Sequence, residues 1–118
     1  MVKEWATDQG HKAWVLHIDA GYGSWYCGYV QVPKDSPLFG IEYTDDVFND
    51  ITVHGGLTFS GHWEVNPEDP TAKKDKETWW LGFDYTHCGD EGATKDQVIS
   101  ECEALAPQIA SLEEFLRR

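Results

Sequence analysis

Asp84, His87 and Asp90 recur at three-residue spacing in Asp84-Tyr85-Thr86-His87-Cys88-Gly89-Asp90, where a strongly apolar segment ends. Imidazole and carboxylate together suit a divalent ion such as Zn²⁺, Mn²⁺ or Fe²⁺, and a tight turn at Gly89 would return Asp90 toward the segment end. His54, beside Gly55-Gly56 at the end of another strand-like stretch, supplies a fourth group if the two strands are neighbours. Cys88 is a reserve ligand that favours Zn²⁺, because on an extended chain it points away from His87. His62 is a further alternate at the same cavity, with a solvent-facing strand position as its plainer reading. The plainer reading of the triplet gives Asp84 and Asp90 turn and capping duties and His87 a backbone carbonyl to bond. By spacing alone that reading leads.

Other residue types narrow the chemistry. His17 and Asp19 share one strand side and read as the polar side of a hairpin, and His11 beside Lys12 reads as surface. Gly21-Tyr22-Gly23 lacks the third glycine and following helix of a dinucleotide fingerprint, which removes nucleotide binding of that kind. Ser24, Ser60 and Cys27 have no identifiable His and Asp partners, so nucleophilic catalysis has no support.

The elements that must position these groups follow from periodicity. Residues 12–19 (KAWVLHID) alternate as a half-buried strand, and 25–32 (WYCGYVQV) form a second strand stopped by Pro33, so the two make a hairpin. Residues 33–50 are irregular. Residues 51–54 and 57–64 read as short strands separated by Gly55-Gly56, and 78–87 (TWWLGFDYTH) as another. Trp79 and Trp80 fall on opposite faces of that last strand, so one of them is expected at the surface as a partner contact. The remaining tryptophans, Trp14, Trp25 and Trp63 among them, fit core and interface duty better than base stacking, given the charge described below. Residues 65–77, charged and holding two prolines, read as an exposed, mobile loop. Thr94 with Gln97 makes a capping box, and Val98, Cys102, Leu105, Ile109 and Leu112 then follow helical spacing, with Pro107 expected to kink or interrupt the helix. The fold class expected is α+β: one domain over 1–118, an antiparallel sheet of four to five strands with a C-terminal amphipathic helix on one face.

Composition bounds the partners. Twenty-one acidic residues against nine basic give a formal charge of -12, a field that repels nucleic acid and anionic membranes and attracts basic proteins. The acidic positions Asp45, Asp46, Asp50, Glu68 and Asp69 are the candidate partner-binding residues. Simple solubility is the bland alternative. Three cysteines without a CxxC pair, no basic-then-apolar leader and no apolar run of roughly 20 residues point to the cytoplasm.

Several blocks carry a resemblance: Cys27-Gly28-Tyr29-Val30-Gln31-Val32-Pro33, Pro37-Leu38-Phe39-Gly40, the stretch from Val53-His54-Gly55-Gly56-Leu57-Thr58 to Gly61, Trp79-Trp80-Leu81-Gly82-Phe83-Asp84 with His87-Gly89-Asp90, and the helix from Glu101 to Ile109. Together they resemble a family of small proteins frequent in bacteriophage and prophage genomes. The family pattern commonly has His where this chain has Ser36, and a small residue where it has Cys88. The resemblance implies a metal site at His54, Asp84, His87 and Asp90. It also implies a counter-defence role, by analogy with acidic anti-CRISPR proteins that occupy a basic nucleic-acid groove. The leading expectation is a metal-stabilised inhibitor, with structural Zn²⁺, of a host CRISPR effector nuclease. The alternatives are a metal-dependent hydrolase, in which His54, His87 and Asp84 hold the ion and Asp90 is the base, and a small-ligand sponge.

Overall fold

The alternation in residues 12–19 and 25–32 becomes a hairpin of two long strands in the computed structural model, which describes residues 2–19, 21, 23–64, 74–84 and 94–118. Strands β1 (Lys3–Ala6), β2 (Lys12–Asp19), β3 (Ser24–Val32), β4 (Phe59–Glu64) and β5 (Lys74–Asp84) form one antiparallel sheet in the order β1-β2-β3-β5-β4. Helix α1 (Lys95–Arg117) lies against β3 and β2. The architecture is therefore α+β, with five strands and one C-terminal helix among the described residues.

Period-two alternation divides the sheet into two apolar faces. On the helix side, Val15, Val30, Val32, Leu81 and Phe83 meet Val98, Cys102, Leu105 and Ile109 of α1, together with Leu38, Phe48 and Val53 from the long connection between β3 and β4. Gly28 lets the helix come this close: a Cβ there would lie 2.5 Å from Phe83 Cζ and 2.8 Å from Cys102 Sγ. On the other face, Trp14, Leu16, Cys27, Tyr29 and Trp80 form a second cluster. Trp14 and Trp80 stack with ring centroids 3.9 Å apart, and Tyr29 meets Phe59 edge-on at 5.5 Å. Trp79 and Trp80 are both buried, at 5% and 1% exposure, which corrects the expectation of one surface ring. Both faces of the sheet are covered at this strand, so alternation separates two cores and not core from solvent.

Three further expectations are corrected. Residues 51–54 are not a strand, because their backbone bonds to helix side chains: Gln108 Oε1 accepts from the Thr52 amide and Glu101 Oε1 from the His54 amide, each at 2.7 Å. Strand β5 begins at Lys74, inside the stretch read as a loop, while residues 65–73 lie outside the described part. Helix α1 runs without interruption through Pro107. A proline inside a helix costs about 3 kcal/mol, but the neighbouring Leu105 and Ile109 are fully buried, each contributing on the order of 2 kcal/mol, and Pro107 itself is exposed. The capping box is present as read: Thr94 Oγ1 accepts from the Gln97 amide at 3.2 Å and Gln97 Oε1 from the Thr94 amide at 2.7 Å. Among the described residues no helix is long and apolar enough to cross a membrane.

Candidate functional site

His54 sits in a turn closed by the Gly56 amide, which donates to the Val53 carbonyl at 2.9 Å. Gly55 and Gly56 hold φ of 70° and 78°, a backbone that glycine adopts without steric cost. The turn rests on α1 through the His54–Glu101 bond. Asp84 ends β5 directly opposite Cys27, in the row of Trp80 and Gly82 that faces away from the helix. Its Oδ2 accepts the Thr58 hydroxyl at 3.1 Å, and the Thr58 amide donates to the Gly82 carbonyl at 2.9 Å. Thr58 thus ties the segment that carries His54 to the end of the strand that carries Asp84. His87, Asp90 and the reserve Cys88 lie outside the described residues, and among the described residues no three His, Cys, Asp or Glu side chains gather.

The other histidines divide differently from the sequence reading. His62 is half-buried: its Nδ1 lies 2.6 Å from the Thr78 carbonyl, and its ring packs edge-on against Trp79 at 5.2 Å and near Phe39 at 6.0 Å. His17 and Asp19 are exposed on the hairpin as expected, with His17 beside Tyr26 and Asp19 Oδ1 accepting from the Gly21 amide. His11 is not a surface residue. It is buried, with Nε2 2.8 Å from Oε1 of the buried Glu113. The neighbouring Lys12 misled the reading, because the chain reverses at Gly10 and turns successive residues to different surroundings.

Burial also removes the thiols of Cys27 and Cys102 from chemistry. Cys27 is pushed up to about 11, chiefly by loss of solvation, with hydrogen bonds from Tyr29 and Trp25 opposing the shift and the Asp84 charge adding to it. Cys102 rises to about 12 for the same first reason. The thiolate is the reactive species, so neither is a nucleophile near neutral pH.

The acidic segment is where the structure is most explicit. Asp45, Asp46 and Asp50 are all exposed, around a short 3₁₀ turn at Asp46–Phe48 that Asp45 caps by accepting from the Val47 amide at 2.9 Å. The turn is fixed on both sides. Phe48 is buried in the helix-side core, Gln108 holds Thr52, and Ser60 of β4 accepts from the Tyr43 amide at 2.9 Å while donating to Glu42 Oε2 at 2.6 Å. Glu68 and Asp69, the other expected contacts, lie outside the described residues. Sequence reasoning left residues 33–50 irregular and so missed that Val47 and Ile51 stand beside the last turns of α1, opposite Leu112, Phe115 and Leu116. The available signal was a pair of apolar residues, Phe115-Leu116, continuing past the helical stripe.

The chain matches no known family model, no curated protein and no solved structure.

Proposed function

We propose that the protein acts by binding, presenting an acidic surface to a basic protein face of the kind that otherwise holds nucleic acid, with a CRISPR effector nuclease as the partner class. One observation carries the reading. Asp45, Asp46 and Asp50 project to solvent from a segment braced by α1 and β4, within a stretch of sequence, 35–72, that also contains Asp35, Glu42, Glu64, Glu68 and Asp69 but no Lys or Arg. Charges on a braced segment lose little conformational freedom on docking, and a single-sign field steers a basic partner toward them. The formal charge of -12 disfavours direct contact with DNA or RNA. In the same reading His54, Asp84, His87 and Asp90 hold a structural Zn²⁺, supported by their residue types and spacing and tested by elemental analysis of the wild type and His87→Ala.

The functional test is co-purification with a panel of guide-loaded effectors at increasing salt. A stoichiometric complex that weakens by at least about tenfold between low and high ionic strength supports the reading. A panel that yields no complex at low salt overturns it.

A further inference from the structure

An apolar groove runs between the acidic segment and the C-terminal half of α1. Val47 and Ile51 form one wall and Pro107, Leu112, Phe115 and Leu116 the other, around a space of about 630 Å³. Phe115 is 68% exposed and Leu116 37%, and with Val47, Ile51 and Leu112 they make the exposed apolar surface contiguous, the arrangement that marks an interaction site. One wall is the last turns of α1 and the other the 3₁₀ turn with Ile51 just after it, whose amides are taken up by Asp45 and the Phe48 carbonyl, so the groove offers no open strand edge for an added strand. It suits a helix that lays apolar side chains into it at i, i+3, i+4 and i+7.

The border sets the sign of the occupant. Asp50 lines the groove and Asp46 adjoins Val47 on the same wall, while on the other wall Arg117 adjoins Leu116 and Arg118 is drawn to Glu114 at 3.1 Å, which leaves the acidic charge on the Val47–Ile51 side. A second copy of the chain would bring like acidic borders and two charges of -12 together, which repels. A basic segment gains at those same places.

We infer that this groove docks an amphipathic helix of a partner protein, its apolar side on Phe115 and Ile51 and its Lys and Arg side chains toward Asp46 and Asp50. The inference rests on the reading of the protein as a binder of basic proteins, and it names where the partner is gripped.

The probe is a synthetic peptide of about 18 residues with Leu at i, i+3, i+4 and i+7 and Lys on the opposite face, titrated into the isotope-labelled full chain. Amide shifts should concentrate in residues 46–51 and 107–116. Replacing the peptide's Lys by Glu should weaken binding at least about tenfold, and Phe115→Ala and Asp50→Lys should each weaken it at least about fivefold. Phe115 is mostly exposed, so its truncation leaves the fold intact, as circular dichroism of the variant will verify. Shifts centred elsewhere, no binding by the Lys peptide, or undiminished binding by Phe115→Ala overturns the groove assignment. A dimer in sedimentation that Phe115→Ala dissolves also overturns it, by giving the groove to a second copy. If Phe115→Ala still captures basic effector proteins while the Asp45, Asp46 and Asp50 variants do not, the groove fails and the acidic-surface reading stands. If the wild type binds neither the peptide nor any effector, both fail.

Discussion

The side-chain amide of Gln108 meets the backbone of Thr52 from both sides: Oε1 accepts the Thr52 amide and Nε2 donates to the Thr52 carbonyl, each at 2.7 Å. The helix thereby does for residues 51–54 what a neighbouring strand would have done, and Glu101, two turns earlier on α1, holds the His54 amide in the same way. Acidic groups at 45–50 inherit their position from this brace. Gln108→Leu keeps the size of the side chain and removes both bonds. The expected result is a loss of about 1 kcal/mol in urea unfolding, with faster hydrogen exchange at Thr52 and unchanged exchange in β2 and β3. Unaltered protection at Thr52 would show that the segment is held by other means.

His11 and Glu113 join the first turn of the sheet to the last turns of the helix. Their contact is buried, and among the described residues His11 Nδ1 and Glu113 Oε2 have no hydrogen-bond partner of their own, so the single Nε2–Oε1 contact carries the pairing. Glu113→Ala strands the imidazole in an apolar site and should cost about 2–3 kcal/mol. Replacing both residues by Leu should recover most of that loss, since no polar group is then left unpaired. Denaturant melts of His11→Leu, Glu113→Leu and the double Leu variant check this. Additive losses would show that the two side chains do not depend on one another.

The buried thiols set an alkaline limit. Below the ordinary cysteine value of 9.0, Cys27 and Cys102 are protonated folded or unfolded and contribute no slope. Above it the unfolded chain releases protons that the folded chain retains, so stability falls as pH rises through the window from about 9 toward about 11 for Cys27 and about 12 for Cys102. Unfolding free energy measured across that window should decline, and Cys102→Ala should flatten the slope. At neutral pH, mass spectrometry after iodoacetamide treatment should find both residues unmodified until denaturant is added. Modification of Cys27 in the native protein would contradict its burial.

The strands and the helix were legible wherever one local rule was sufficient. Alternation in 12–19 matched β2, and Thr94 with Gln97 marked the start of α1, because capping and pleating are encoded within a few residues. Strand β1 was missed because Lys3-Glu4-Trp5-Ala6 is too short to alternate and is placed by pairing with β2. Residues 51–54 were misread because Ile51 and Val53 have strand composition, while Gln108 and Glu101, which bond the Thr52 and His54 backbone, lie about fifty residues away. The surface position for His11 and for one ring of the Trp79–Trp80 pair failed for a related reason: burial on both faces of the sheet and beneath the helix end is a property of tertiary packing. Of the candidate site, the acidic positions Asp45, Asp46 and Asp50 were legible from charge alone. The apolar groove beside them was not, since it forms only when Ile51 and Phe115 are brought together by the brace at Gln108.

If the acidic segment occupies a nucleic-acid groove, the protein and DNA compete for the effector. A guide-loaded CRISPR effector carrying fluorescent target DNA is titrated with the wild-type protein and with an Asp45→Asn, Asp46→Asn, Asp50→Asn triple variant, which keeps side-chain size and removes three negative charges. The wild type should displace the DNA stoichiometrically, and the triple variant should need at least about tenfold more protein to do so. DNA that stays bound at large excess of the wild type across the effector panel, or equal displacement by the variant, would contradict that occupation of the groove.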